Sequence, residues 1–410
     1  MNRLKKLLLL VMILLTAFTS GCWDKQELNG IALVSAIGVD KSEKGNLMGS
    51  YQIINPSNVA GALQGGGNGE KPPVAVLTST GNNVLELDRT ASSKSSRYLY
   101  LRHANLLVIS EELAKDKGII SFLDAFDRST NFRSTSRVVI ARDLKAADII
   151  ETLASVDKVS GEKVIKTMQA AEEELGVSIS VNLQELIKNL VSEGREPIIG
   201  GITIKQKGDK EKNKKMDVTA STLNLANPIS SGIGIFKNGK LVDWVDGDKA
   251  KGTMWVLKKI KTVNLNIDWE NEKDAISYQA VRQKTKVKMK MKNGKPKMFI
   301  KVQAEGDIRE VRVPLDVTET QVLMKIEKKL SGEIKKQINE AIAVAKENKA
   351  DIFGFGDIIY QRDPKAWEKL KGDWHEVAFP ALEVDVEVET FIRRTGLRNK
   401  PFISEFKDEK

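Results

Sequence analysis

Cysteine and histidine are almost absent from this sequence of 410 residues, which has one cysteine and two histidines. A single thiol cannot build a disulfide framework within the chain, nor supply the several cysteines of a structural zinc site. With only His103 and His375, and without a Gly-x-Ser-x-Gly sequence, the usual nucleophile and metal-ligand sets are missing. We therefore predict that the protein is not an enzyme and holds no cofactor and no metal ion.

Long hydrophobic runs are also lacking after residue 22, where no stretch reaches the roughly 18 consecutive apolar residues of a membrane-spanning helix. Hydrophobic residues make up 41% of the chain and charged residues 29%. This balance is typical of a globular protein rather than of a disordered or polytopic membrane chain. The length predicts two or three domains, each large enough to bury a core.

The first 22 residues have the organisation of a secretory signal. Three basic residues among the first six are followed by the apolar residues 7–15 and by small residues before Cys22. Thr19 stands where a lipoprotein signal usually has an aliphatic residue. Because the one cysteine of the chain lies at this boundary, we predict that residues 1–21 are removed and that Cys22 carries a lipid. The alternative is that Cys22 is simply a small buried residue.

Four stretches of the sequence resemble one known family, in the same order along the chain. The first stretch is Cys-Trp-Asp-basic-x-Glu-Leu-Asn at residues 22–29, and the second is an apolar strand followed by Glu-Glu-Leu-Ala after His103. The third, at residues 234–247, has Phe, a hairpin turn and Leu-Val-x-Trp. The fourth contains, in order, Gly354-Phe-Gly356, Trp367, Trp374, alternating valines at 384–388 and Arg394-Thr-Gly. Each motif alone is weak, but the ordered set is specific. The sequence resembles the Ger(x)C family, the lipoprotein C subunits of spore germinant receptors.

This resemblance implies a three-domain α/β lipoprotein on the outer face of the spore inner membrane. There it would work with a membrane-spanning A subunit and a transporter-like B subunit, coupling a nutrient such as an amino acid or a sugar to germination. From the residues alone, a lipid-anchored solute-binding protein that delivers a nutrient to a transporter stays an alternative. That alternative requires two similar lobes around a cleft, and the sequence shows no internal repeat. An envelope enzyme is the weakest alternative.

Behind the signal, the sequence predicts three domains: an N-terminal α/β domain at 22–195, a small β-rich middle domain at 196–260, and a C-terminal α/β domain at 261–400. Strands alternate with helices in the first, which favours a mixed α/β (α+β) fold with sheets flanked by helices. Asn238-Gly239 between apolar strands predicts a hairpin. Thr318-x-x-Gln321 predicts a capping box at the start of a long helix with one apolar stripe.

Basic residues are concentrated in one segment, because nine of them and no acidic residue lie between Arg282 and Gln303. Asn293-Gly294 predicts a two-residue type I′ turn that pairs Lys292 with Lys295 and continues in that register away from the turn. One side of this hairpin then carries the eight residues that we call the lysine face: Lys284, Lys286, Lys288, Lys290, Lys292, Lys295, Lys297 and Lys301. The other side is apolar.

Two explanations of the lysine face are open from the sequence. Lysine on an exposed strand prevents edge-to-edge aggregation, which is the simpler explanation. The more specific one is that the lysine face contacts anionic lipid headgroups or acidic loops of a membrane partner, since a basic residue near an anionic bilayer contributes about 1 kcal/mol. Nucleic acid is disfavoured, because the compartment is wrong and Phe299 is the only aromatic residue in the segment.

Overall fold

The computed structural model describes Arg3 and residues 30–55, 73–152, 159–206 and 226–396. The predicted signal peptide and Cys22 lie outside these ranges. Within them, no helix is both long and apolar enough to cross a membrane.

Strands and helices alternate through the first half of the chain, as predicted. The strands are β1 (Ile31–Lys41), β2 (Leu47–Ile54), β3 (Val74–Gly81), β4 (Tyr98–Tyr100), β5 (Leu106–Ser110), β6 (Arg137–Ala141), β7 (Val181–Asn182), β8 (Ile198–Gln206), β9 (Ala226–Lys237), β10 (Lys240–Val245), β11 (Val263–Trp269), β12 (Glu272–Lys292), β13 (Lys295–Val311) and β14 (Glu383–Arg394). The α-helices are α1 (Val84–Lys94), α2 (Glu111–Asp116), α3 (Ile120–Arg128), α4 (Ala146–Glu151), α5 (Ser160–Ala170), α6 (Leu183–Leu190), α7 (Gly247–Val256), α8 (Thr320–Glu347), α9 (Phe355–Arg362) and α10 (Pro364–Leu370).

Within the described ranges the larger sheet has ten strands, eight of them in the order β10-β9-β8-β6-β5-β1-β2-β3, with β4 beside β1 and β7 beside β6. Strands β8, β6, β5 and β1 are parallel neighbours, and antiparallel strands lie at both ends. Every residue of β5 is buried, because helices cover both faces of the sheet. Leu106 lies in one apolar core with Ile150 of α4, and Leu107 lies in a second core with Phe122 of α3. The predicted mixed α/β fold is confirmed.

The larger sheet continues across residue 195, where the sequence predicts a domain boundary. Strands β8, β9 and β10 of the predicted middle domain extend the sheet that begins with β1 to β6. Asn238 and Gly239 both have positive φ between β9 and β10, so the predicted Asn-Gly hairpin is confirmed. The division into three domains itself stays a prediction.

The smaller sheet has the order β11-β12-β13-β14, and α8 packs across its apolar face. The predicted stripe on this helix is confirmed, since Ile326, Leu330 and Ile334 are fully buried. The predicted capping box is wrong. The Thr318 amide donates to Asp316 Oδ1 at 2.8 Å, and the helix begins at Thr320 after Glu319. Thr318 therefore belongs to a turn before the helix rather than to its cap.

Helix α7 joins the two sheets. A Cβ atom at Gly252 of α7 would lie 2.0 Å from the Gln337 carbonyl oxygen of α8, so only glycine allows the two helices to approach this closely. Trp255 of α7 is fully buried. A single apolar cluster runs from the larger sheet through α7 to the smaller sheet.

Candidate interaction surface on the smaller sheet

Strands β12 and β13 form the predicted lysine-rich hairpin. Asn293 has φ 51° and Gly294 φ 75°, the left-handed conformations that a type I′ turn requires. Lys292 pairs with Lys295 beside the turn, and the following pairs are those that the sequence predicts. The predicted register is confirmed.

The two sides of the hairpin differ sharply in burial. Met289, Met298 and Ile300 are buried on the inner side, with exposed fractions of 7%, 0% and 1%. On the opposite side, the lysines of β12 and Lys295 are exposed, whereas Lys297 and Lys301 of β13 are half-buried. The alternation of strand side chains therefore places all eight lysines on the outer side of the sheet.

Strand β14 explains why Lys297 and Lys301 differ from the other lysines of the lysine face. It runs parallel to β13 and carries acidic residues at alternate positions on the same outer side. Lys297 Nζ lies 2.9 Å from Asp385 Oδ2 and 3.1 Å from Glu383 Oε2. Lys301 Nζ lies 2.9 Å from Glu387 Oε1 and also contacts Glu389.

These contacts change the protonation equilibria of the groups involved. Hydrogen bonds to Asp385 and Glu383 raise the pKa of Lys297, and hydrogen bonds to the β14 glutamates raise the pKa of Lys301. The bond from Lys301 lowers the pKa of Glu389. Both lysines therefore stay charged and paired. Like charges across a ladder cost about 0.2–1 kcal/mol per pair, and β14 offsets this cost for β13.

The remaining lysines have no such partners. Within the described ranges no ion pair is formed by the other six members of the lysine face: Lys284, Lys286, Lys288, Lys290, Lys292 and Lys295. Lys290 Nζ lies 5.4 Å from the centroid of the Phe299 ring, within the range of a cation–π contact. The lysine face is thus divided into a neutralised pair on β13, Lys297 and Lys301, and a cationic stripe that consists of the five lysines of β12 and Lys295 beside the turn.

A buried carboxylate organises the Gly354-Phe-Gly356 motif. Asp351 Oδ1 accepts hydrogen bonds from the amides of Phe353 and Gly354 at 3.1 and 2.9 Å. Asp351 Oδ2 accepts from the Gly356 amide at 2.8 Å and from Trp374 Nε1 at 3.2 Å. Two features of the same C-terminal stretch, the glycine pair and Trp374, are therefore bound to one side chain.

The same segment joins the C-terminal part of the chain to the end of the N-terminal part. Burial raises the pKa of Asp351 to about 6, against the effects of its hydrogen bonds and of Arg195. Arg195 Nη2 donates to the Phe353 carbonyl oxygen at 3.2 Å. A Cβ atom at Gly356 would lie 2.6 Å from Gly194 Cα. Sequence reasoning missed Asp351 and Arg195, because nothing in their local pattern shows that they meet.

Trp244, from the third motif of the resemblance, is also held by polar partners. Its Nε1 donates to Glu111 Oε1 at 2.9 Å, and the Arg142 guanidinium lies 4.5 Å from the ring centroid. Arg142 in turn donates to both carboxylate oxygens of Asp246 at 2.7 and 3.1 Å. Trp244 therefore fixes β10 against the residues that follow β5 and β6.

Asp243 and Asp248, near Trp244, contact separate groups rather than converging on one possible metal position. Asp243 Oδ2 accepts from Asn348 Nδ2 at 2.8 Å, and Asp248 Oδ1 lies 3.1 Å from Lys251 Nζ. In the part of the chain that the structure describes, no group of three or more His, Cys, Asp or Glu side chains could hold a metal ion.

The two histidines lie in different surroundings. His375 Nδ1 accepts from the Asp351 amide at 3.4 Å, and burial lowers the pKa of His375. His103 is exposed in the turn before β5.

Two family models match this chain. The model described as "Spore germination protein N-terminal domain" matches residues 24–204. The model described as "Spore germination B3/ GerAC like, C-terminal" matches residues 231–396. The matches account for most of the sequence.

Curated relatives and a solved structure agree with these models. Spore germination protein KC of Bacillus subtilis (strain 168) is 43% identical over 407 residues, which cover 99% of this chain and 100% of that protein. Spore germination protein B3 of the same organism is 24% identical over 378 residues, covering 90% and 92%. The crystal structure of the GerBC protein has the same fold, with a TM-score of 0.53 at 18% identity over 87% of this chain and 96% of that one. This chain therefore belongs to the Ger(x)C family of spore germination proteins, the C subunits of germinant receptors.

Proposed function

We propose that this chain acts as a lipid-anchored, non-enzymatic receptor subunit, tethered through Cys22 to the outer face of the spore inner membrane. The observation that carries the proposal is the position of the single cysteine, directly after a signal sequence in a chain of the germination family. After removal of residues 1–21, the lipid on Cys22 is the membrane anchor.

In this proposal the subunit acts by contact with the membrane-spanning A and B subunits of the same receptor. The cationic stripe supports such contact, because its six lysines, five on β12 and Lys295 at the start of β13, have no ion pairs in the described ranges and form a positive surface. A solute-binding protein with two similar lobes has less support, since the two sheets have ten and four strands in the part of the chain that the structure describes, with different strand orders.

The anchor is tested by replacing Cys22 in the source organism. We expect the Cys22→Ala variant to lose membrane retention in spore fractionation, and mass spectrometry of the wild-type N-terminal peptide to show a lipid on Cys22. Thr19→Leu is the matched control, because it alters the signal towards the usual sequence and keeps the thiol. A wild-type chain without lipid, or a Cys22→Ala variant that stays in the membrane fraction, would contradict the anchor.

A further inference from the structure

Strand β12 is much longer than β11, its neighbour on one side. The pairing of β11 with β12 ends at Val263 and Ala280, whereas β12 continues to Lys292. The first residues beyond Ala280 are held by α7, since the Trp255 carbonyl oxygen accepts from Gln283 Nε2 at 2.7 Å. Across the described ranges, residues 286–292 pair with β13 on one side and with no strand on the other.

This free edge is suited to pairing with another strand. Seven residues span roughly 23 Å, about the length of an ordinary strand, and an edge strand presents unpaired N–H and C=O groups at alternate residues. On its outer side are the lysines of the cationic stripe. On its inner side are Val287, Met289 and Met291, of which Met291 is 44% exposed.

The opposite edge of the same hairpin shows which strand such a surface accepts. Strand β14 pairs with β13 through the backbone, directs acidic side chains to the outer lysines, and directs Val384, Val386 and Val388 to the inner side. One strand thereby satisfies the backbone, the charges and the apolar side together. The lysines of β12 have the same alternate spacing, and no acidic strand lies beside them in the described part of the chain.

We propose that the free edge at residues 286–292 binds an extended segment of a partner protein in which acidic residues alternate with apolar residues. The segment adds a strand to the smaller sheet, with carboxylates beside Lys286, Lys288 and Lys290 and apolar side chains beside Met289 and Met291. The inference rests on the proposed function, which it deepens by assigning a partner chemistry to the lysine face. Lipid headgroups would neutralise the lysines but leave the backbone edge unpaired, so the geometry favours a strand.

The lysines also disfavour pairing of this edge with a copy of itself. Two identical edges would bring like charges together, whereas an acidic strand brings opposite charges together. A second copy of β14 is not available, because that strand is already paired with its own β13. The same residues thus disfavour self-association and favour an acidic partner.

The test uses the full chain in detergent and a synthetic peptide with the sequence of residues 382–390, Leu-Glu-Val-Asp-Val-Glu-Val-Glu-Thr. We expect the peptide to slow hydrogen exchange of the outward-facing amides at residues 286–292 at least tenfold. A peptide of the same composition with its acidic residues contiguous, and one N-methylated at alternate residues, should give no protection. Absence of protection there, or protection only at residues 297–303 through displacement of β14, would overturn the proposal.

Charge-reversal variants locate the binding on the chain. The triple variant Lys286→Glu, Lys288→Glu and Lys290→Glu should weaken peptide binding at least tenfold. The matched control Lys328→Glu, Lys335→Glu and Lys336→Glu makes the same charge change at exposed positions on α8 and should bind as wild type. Circular dichroism confirms that both variants fold.

Three outcomes would overturn the strand proposal. The two triple variants could weaken peptide binding equally, or the peptide with contiguous acidic residues could bind as tightly as the peptide of residues 382–390. The chain could also bind phosphatidylglycerol vesicles without binding the peptide. The last outcome would assign the stripe to lipid. Peptide binding does not depend on the lipid at Cys22, so its failure is distinguishable from failure of the anchor.

Discussion

Lys301 and Glu387 face each other across the parallel pair of β13 and β14, with Nζ 2.9 Å from Oε1. On its other side Lys301 pairs with Lys286 of β12. Within the described ranges Lys286 has no ion pair. Neighbouring lysines on one sheet therefore differ in whether they form an ion pair in the described ranges. The difference comes from β14, which lies beside Lys301 and not beside Lys286.

The contact between Lys301 and Glu389 predicts a loss of stability in acid. Because the pKa of Glu389 is lowered in the folded chain from its ordinary 4.5, its contribution is present above that value and is lost as the pH falls through the folded pKa. We expect the wild-type chain to lose stability below pH 4.5 more steeply than Glu389→Gln, measured by denaturant unfolding. Glu310→Gln, at an exposed position, is the control and should follow wild type. Identical pH profiles for wild type and Glu389→Gln would refute this prediction.

Asp351 predicts the opposite pH dependence. Burial raises its pKa from 3.8 to about 6, so its favourable contribution is present below 3.8 and is lost as the pH rises towards 6. Asp351→Asn should abolish this dependence. It should also lower the free energy of unfolding by about 1–3 kcal/mol, because the amide NH₂ cannot accept from Gly356 or Trp374.

Unfolding of wild type and Asp351→Asn at pH 4 and pH 7 checks this prediction. The control is Asp373→Asn, since Asp373 is exposed nearby. An Asp351→Asn chain as stable as wild type at both pH values would show that the carboxylate does not hold the segment.

Gly356 and Gly332 predict opposite effects of the same substitution. A Cβ atom at Gly356 would lie 2.6 Å from Gly194 Cα, so Gly356→Ala should destabilise the chain by about 1–3 kcal/mol. Gly332 lies inside α8 with nothing within 4 Å of its Cβ position. Gly332→Ala should therefore stabilise the chain by about 0.5–1 kcal/mol, as alanine does in a helix. Thermal unfolding measures both, and effects of equal sign would contradict the packing described for Gly356.

Glu111 predicts a specific change at Trp244. Burial alone would raise the pKa of Glu111, but hydrogen bonds from Lys115, Trp244 and the Asp143 amide together lower it. Glu111→Ala removes the acceptor of the half-buried indole and should destabilise the chain by about 1–3 kcal/mol. Glu112→Ala, at a neighbouring exposed position, should have little effect. Unfolding and tryptophan fluorescence distinguish the two variants, and equal effects would exclude a special role for Glu111.

The hairpin register could be predicted because its causes are local. Asn293 and Gly294 set the turn, and alternation of lysine with apolar residues sets the faces. The valines of β14 likewise predict a strand with one apolar side. Its pairing with β13 could not be predicted, because Lys301 and Glu387 are 86 residues apart and only the tertiary fold brings them together.

Other parts of the structure depend on similar distant contacts. Thr318 has the spacing of a capping box, but its amide donates to Asp316 Oδ1, and Thr318 lies in a turn before the helix. Arg195 and Asp351 look ordinary in the sequence and become neighbours only when Gly194 packs on Gly356. Local patterns thus predicted the fold class and the hairpin, whereas the division of the lysine face and the buried carboxylate required the structure.

Germination of spores tests the central claim most directly, namely that this chain is a lipid-anchored subunit required for the response to a nutrient. The measurement follows germination with a panel of amino acids and sugars in a strain whose other germinant receptor genes are deleted. We expect deletion of this chain to abolish the response, the wild-type chain and Thr19→Leu to restore it, and Cys22→Ala to restore it poorly. Spores that respond normally without this chain, or that respond fully with a Cys22→Ala chain still retained in the membrane, would contradict the account.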